Sequence, residues 1–302
     1  MTSTANPARL AAIFAVTALL HAAPATQSAF STPQEAAQAL IAASENNDSA
    51  ALLNLFGPGG KDIAESGDPA SDKEYRARFA KLAHQKMEFA KDPSDPSRTV
   101  LFVGNDEWPF PVPLAEKDGK WRFDSARGKI EVLARRIGRN EMNAMQVVRG
   151  FAEAEFAYAA EDHDKDGILE YAQKIVSTQG KQDGLYWDGA TIVPASFAKA
   201  AESWSQPGQK REPYHGYYYK VLKAQGPDAE GGALDYVVKG EMIGGFALVA
   251  WPAEYGVSGI HTFIVNHHCV VYQKDMGPNT STAARQMTRF NPDKSWRPAE
   301  KD

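Results

Sequence analysis

Residues 214–276 read YHGYYYKVLKAQGPDAEGGALDYVVKGEMIGGFALVAWPAEYGVSGIHTFIVNHHCVVYQKDM, and this stretch decides the fold. Aromatic and β-branched residues crowd into short runs separated by Gly and Pro at turn-like intervals, the pattern of antiparallel strands. Tyr217, Tyr219 and Val221 fall on one face of the first run, with Tyr218 and Leu222 on the other, as a half-buried strand requires. Residues 236–239 and 243–251 supply further strands, with Gly240, Gly244 and Gly245 at turns or bulges. Residues 260–265 and 270–272 form a hairpin.

Upstream of this sheet the spacing turns helical. Residues 129–160 form the longest helix, with Ile130, Leu133, Ala134 and Ile137 on one face and Met145, Val148, Ala152, Phe156 and Ala159 continuing the stripe. Gly138, Arg139 and Asn140 predict a kink within it, Asn140 being suited to an N-cap. Nearer the N-terminus, Ser31, Thr32, Pro33 and Glu35 make a helix start, since a hydroxyl caps, Pro fits the first turn and Glu complements the dipole. Further helices are expected over 50–56 and 73–89, and strands over 99–103 and 110–114. Pro109, Pro111 and Pro113 confine the second of these to an edge. Asp118 and Gly119 then turn the chain into a strand at 120–123. The fold class is therefore α+β. Residues 30–128 read as an N-terminal helix-and-curled-sheet domain of NTF2-like or cystatin-like kind. Residues 129–302 read as a long helix followed by a pilin-like antiparallel sheet.

Residues 1–29 read as an export signal: Arg9 gives a positive start, 10–20 an apolar core too short for a stable span, and Ala23, Ala25 and Ala29 small residues for cleavage after Ala25 or Ala29. The mature chain is expected to be periplasmic or secreted. Its 43% apolar and 24% charged residues suit a soluble globular protein. A net charge of -5 and the lack of any basic run with interleaved aromatics argue against nucleic acid as a partner. No later segment has the ~20 apolar residues of a membrane span. The single cysteine, Cys269, has no intramolecular partner and reads as a small buried hydrophobe.

The sharpest chemical signal is EDHDKDGILE at 161–170. Asp162, Asp164 and Asp166 offer carboxylates at alternate positions, Gly167 allows the sharp turn, Ile168 offers a carbonyl and Glu170 a further ligand, as in the first half of a calcium loop. The twelfth position, where an EF-hand places a bidentate Glu, is Gln173. Three carboxylates so close repel one another unless something neutralises them, so calcium is the expected cofactor. Tyr186, Trp187 and Tyr217 are candidates for a ligand groove that takes a peptide or sugar, and a partner envelope protein or glycan is expected.

Catalytic signals are weak. His215, Glu254 and His261 are the candidates for an envelope hydrolase acting on glycan or peptide, with zinc as one means if ligands converge. Cys269 beside His267 and His268 makes a poor nucleophile–base set, since neighbours in a hairpin rarely aim at each other, and no Gly-x-Ser-x-Gly elbow exists. A non-enzymatic module is the leading expectation.

The blocks IGRNEMNAMQ, DHDKDGILEYAQ, STQGKQDGLYW, EPYHGYYYKVLKAQGP, MIGGFALVAWPAEYGVSGIHTFIVN, VVYQKDMG and FNPDKSWRP, with GNDEWPFPVPL and DGKWRFD upstream, together resemble the bacterial family catalogued as domain of unknown function 2950. The resemblance implies an exported bacterial protein without an established catalytic set. Asn266, His267, His268 and Cys269 stand where that family tends to have an Asp-Gly-like turn. More loosely, the helix start at Asn140, Glu141 and Ala144 and the Gly216–Tyr219 strand resemble the globular heads of type IV pilins and pseudopilins, without the apolar stalk that builds filaments.

Overall fold

A computed structural model describes residues 27–65, 69–189, 192–205 and 210–299. Most of the expected leader, residues 1–26, lies outside the described residues. The chain is α+β, divided into two compact units, Met1–Lys129 and Ile130–Asp302.

In the first unit α1 (Pro33–Glu45), α2 (Ser49–Phe56), α3 (Lys61–Ala64) and α4 (Pro69–Gln85) precede a sheet of β1 (Met87–Asp92), β2 (Asp95–Val103), β3 (Trp108–Pro109), β4 (Leu114–Lys117) and β5 (Lys120–Phe123). The strand order is β1-β2-β4-β5, with β3 on β2. Helix α1 begins as its sequence demands: the Thr32 hydroxyl accepts the N–H of Glu35 (3.1 Å), and the Glu35 carboxylate accepts the N–H of Ser31 (2.9 Å). Asp48 caps α2 through the N–H of Ala51 (2.9 Å). The apolar faces so set, Leu40, Leu52, Leu55 and Phe56 among them, are buried against Leu101, Leu114 and Phe123, each large side chain contributing about 1.5–3 kcal/mol. Gln27 and Ser28, which the leader reading includes, are tied into this unit. The Gln27 amide donates to Leu55 O (3.0 Å) and Phe123 O (2.7 Å), and Ser28 N–H donates to Asn54 O (2.9 Å).

Helix α5 (Ser125–Tyr158) runs across the unit boundary without interruption. Residues 138–140, expected to kink or recap the helix, lie inside α5 without a break, so a side chain at Gly138 would meet open space and Asn140 does not cap. Its amide donates instead to Ser258 O (2.9 Å). Beyond α5 come α6 (Ala195–Ser205), β6 (Tyr217–Leu222), β7 (Ala224–Gln225), β8 (Leu234–Asp235), β9 (Val237–Val238), β10 (Glu241–Met242), β11 (Ala247–Pro252), β12 (His261–Asn266), β13 (Tyr272–Asp275), α7 (Thr280–Gln286) and β14 (Arg297–Pro298). The main sheet of the second unit is antiparallel in the order β14-β13-β12-β11-β6, and β7-β8 and β9-β10 are separate two-stranded ribbons. Its core packs Val148, Phe151, Ala152 and Tyr158 of α5 on Tyr217, Tyr219, Phe246, Val249 and Phe263.

Three local expectations shift. The helix expected to reach residue 89 stops at Gln85, and Met87–Asp92 pairs with β2. Of the strand expected over 110–114 only Leu114 is in a strand, at the start of β4, since Pro111 and Pro113 lack the N–H a ladder needs. Residues 243–246 are not strand. Gly244 lies against the Tyr236 backbone, where a Cβ would sit 2.9 Å from Asp235 O, and Gly245 has φ +132°.

Candidate functional site

The acidic loop follows the end of α5 and is held by its own backbone. Asp162 accepts the N–H groups of Lys165 (2.7 Å) and Gly167 (2.9 Å), Asp164 that of Asp166 (3.3 Å), and Asp166 that of Ile168 (2.8 Å). Gly167 takes φ +92°, which the sequence requires of it. Around this loop Tyr158 stacks on His163 (centroids 4.1 Å apart), and Trp187 meets His163 edge-on at 5.3 Å. Trp187 therefore pins the loop.

A partner that local spacing does not reveal comes from the β9-β10 ribbon. Met242 N–H donates to Glu170 (3.0 Å) and Tyr171 N–H to Met242 O (2.9 Å), which brings Glu241 to the loop. Carboxylate oxygens of Asp162, Asp164 and Asp166, and of Asp164, Glu170 and Glu241, each lie within 4.8 Å of one another. Oxygens held ~2.3–2.6 Å from one calcium ion are separated by no more than about 5 Å, so each triad has the spacing of such a site, and the two share Asp164. Gln173, at the position of the missing bidentate acid, is committed elsewhere. Its amide donates to Gly240 O (2.6 Å) and its carbonyl accepts from Lys223 (2.9 Å). Glu241, one residue beyond Gly240, stands beside Asp164 and Glu170 instead. The electrostatics bear the crowding: a hydrogen bond that the protonated Glu241 carboxyl donates to Glu170 raises its pKa, and desolvation followed by the Asp166 charge raises that of Asp164. Asp162 is lowered, chiefly by Gly167 N–H.

The hydrolase candidates do not act together. His215 is exposed and sits with φ +50° beside Gly216 (φ +77°), the two central residues of a tight turn, its ring tilted against that of Tyr214 with centroids 4.2 Å apart. Glu254 is exposed in the loop after β11. His261 faces Glu141 of α5, whose Oε1 accepts the N–H of Ile260 (2.8 Å) and of His261 (2.9 Å), with Nδ1 of the ring 3.2 Å from both oxygens. Among the described residues no hydrogen bond or ion pair joins any two of His215, Glu254 and His261. Tyr217, expected in a ligand groove, is wholly buried and donates its hydroxyl to His261 O (3.0 Å). Cys269, expected as a buried hydrophobe, is exposed, in a turn with φ +60°. His267 is half-buried against Tyr236 and Phe246, and burial lowers its imidazole pKa.

The second unit does contain a groove, of about 610 Å³, beside the free edge of β6. Its aromatic lining is Trp204, Tyr218, Tyr219 and Trp251, and its charged lining Lys174, Arg211, Lys220 and Arg285, with no carboxylate. Lys174 is paired with Asp183 (2.7 Å), and Lys220 donates to Arg285 O (2.8 Å) and Met287 O (2.7 Å). Tyr186 and Trp187 do not line it. Deeper in this unit, Glu155 of α5 is fully buried. One carboxylate oxygen accepts Ala172 N–H (2.8 Å), the other has no partner, and desolvation pushes the carboxyl well above its ordinary range.

These features define an α+β protein with an acidic, oxygen-rich loop and a basic aromatic groove in its second unit. The chain belongs to the family described as Protein of unknown function (DUF2950), whose profile matches residues 27–299. No curated protein and no solved structure matches the chain.

Proposed function

We propose that the protein is an exported, non-enzymatic binding or assembly module of the cell envelope, with an acidic loop that closes on calcium. The observation that carries the calcium reading is a pair of carboxylate triads that share Asp164, one with Asp162 and Asp166 and one with Glu170 and Glu241, drawn from two segments far apart in sequence. Five carboxylates brought together repel unless a cation is shared. The Ile168 carbonyl would add a sixth oxygen. The ion would fasten the end of α5 to the β9-β10 ribbon, so its chemistry here is structural. A module rather than a hydrolase is favoured because His215, Glu254 and His261 form no pair with one another.

The leader reading supports export, and the hydrogen bonds of Gln27 and Ser28 favour cleavage after Ala25 over Ala29, which would strip them. Among the described residues no helix is long and apolar enough to cross a membrane. At a finer level we read the first unit as NTF2-like or cystatin-like, on its helices followed by an antiparallel sheet. We read the second as pilin-like, on its long helix and antiparallel meander.

Thermal melting across a calcium titration tests the ion. At free calcium one hundred times Kd the gain is ~2.7 kcal/mol, on the order of 5–10 °C. Asp164→Ala is expected to abolish that gain. Glu241→Gln is expected to raise the melting temperature without calcium, by relieving the contact with Glu170, and to shrink the calcium response. An unchanged melt in wild type refutes the site.

A further inference from the structure

We propose that the groove beside β6 is a docking cleft for an extended acidic peptide segment, which pairs with the strand edge at Tyr219 and Val221 and sets its carboxylates against Arg211 and Arg285. This rests on the binding-module reading and names the chemistry of the partner.

Strand β6 ends the main sheet, with β11 on its inner side only. The N–H of Ala253 donates to Gly216 O (2.9 Å), which makes those two residues a hydrogen-bonded pair. In an antiparallel ladder such pairs recur at every second residue, so Tyr218, Lys220 and Leu222 bond to β11. The backbone groups of Tyr217, Tyr219, Val221 and Lys223 consequently point away from the sheet.

Both ends of this outer edge are closed. Tyr217 exchanges bonds with Tyr214 (2.8 and 3.0 Å), and the Lys223 carbonyl accepts Tyr236 N–H (2.9 Å). Between them the N–H and C=O of Tyr219 and Val221 have no partner among the described residues. The open interval spans roughly 7 Å of strand, enough to pair with a three-residue stretch of another chain. It also lines the groove, whose other walls include residues 173–178.

An edge strand is ordinarily guarded by a lysine standing over it. Lys220 does not guard this one, because its ammonium is turned to the carbonyls of Arg285 and Met287. The flanking charge is of one sign. Arg211 and Arg285 have no ion pair among the described residues, and the lining holds no carboxylate to answer them. Acidic side chains alternating along the docked strand would meet this charge, while apolar ones would rest on Trp204, Tyr218 and Trp251. The indole N–H of Trp251 is buried in that lining without an acceptor. A glycan would use the aromatic faces but not a run of backbone donors and acceptors at strand spacing, so a peptide is the better fit.

Fluorescence polarisation with a labelled, end-blocked hexapeptide of alternating valine and glutamate tests the assignment on the full chain. The same peptide with lysine for glutamate, and an oligogalacturonate, serve as comparisons. Saturable binding of the glutamate peptide alone is expected, weakening at least tenfold in the double variant Arg211→Glu/Arg285→Glu. Val221→Pro, which deletes an outward N–H and leaves the β11 bonds, is expected to lose binding with its melting curve intact. If that variant unfolds, the arginine pair decides. No saturable binding of the glutamate peptide, or binding unaltered in the arginine variant, overturns the proposal. Binding of the oligogalacturonate instead also overturns it, but leaves the module reading standing with a glycan partner. Mass spectrometry of the recovered peptide separates the two readings: a cleaved peptide refutes the non-enzymatic module itself.

Discussion

Glu155 gives the most quantitative prediction. It is buried among the core residues of the second unit with a single hydrogen bond, from Ala172 N–H, and a second oxygen without a partner. Desolvation raises its carboxyl pKa, and nothing charged nearby offsets that rise. Between the ordinary carboxylate range and its folded value, the folded protein therefore holds a proton that the unfolded chain has released. Stability falls as pH rises through that window, by about 1.4 kcal/mol per pH unit for one proton, and levels off above it. Glu155→Gln keeps the shape and an acceptor for Ala172 but does not titrate. At about pH 5 the variant should start level with or slightly below wild type, since the protonated acid leaves one donor hydrogen unmet and the amide two. At higher pH its advantage should grow by ~3–6 °C per unit, taking about 2–4 °C per kcal/mol for a unit of this size. Calorimetry of both proteins from pH 5 to 9 provides the measurement. A difference in melting temperature that stays constant across that range would mean Glu155 ionises normally in the core, and would refute the reasoning.

Two further outcomes follow from local geometry. Burial pushes the Asp183 carboxyl up, but hydrogen bonds from Lys174 and Thr178 outweigh it and bring the pKa to about 2. The stability this gives is present above the ordinary aspartate range and lost as pH falls from about 4 toward 2, so Asp183→Asn should flatten that part of the acid-denaturation curve. Gly259→Ala would place a Cβ 2.1 Å from the hydroxyl of the fully buried Tyr217. The overpacking should cost about 1–3 kcal/mol in a urea melt, and an unchanged midpoint would show that Tyr217 can move aside.

What the sequence revealed follows the range of the interactions concerned. The cap of α1, the Val148 and Ala152 part of the α5 stripe and the Asp162 to Gly167 turn depend on residues within a few positions and were legible. Ile130, Ala134 and Phe156 of the expected stripe are instead exposed, and Phe151 and Tyr158 take the core. Glu241 was not, because it reaches the acidic loop only once Glu170 binds the β10 backbone. The groove was not legible either, since Arg211, Lys220 and Arg285 are brought together by the sheet and α7. Met87–Asp92 continues the helical spacing of α4, and only its pairing with β2 makes it a strand. Tyr217 and Trp187 both read as candidates for a ligand groove. Gly259 leaves room for the first inside the core, and His163 holds the second against the loop.

Glu141 has a consequence for how the second unit finds its alignment. Its carboxylate takes two successive amides of the β12 entrance, and the neighbouring Asn140 takes Ser258 O. Successive residues on a helix are turned by about 100°. A slip of α5 by a single position would swing both side chains off the sheet and strand three hydrogen-bonding groups at once. The helix therefore seats on the sheet in discrete steps, like a key whose first two teeth must enter together.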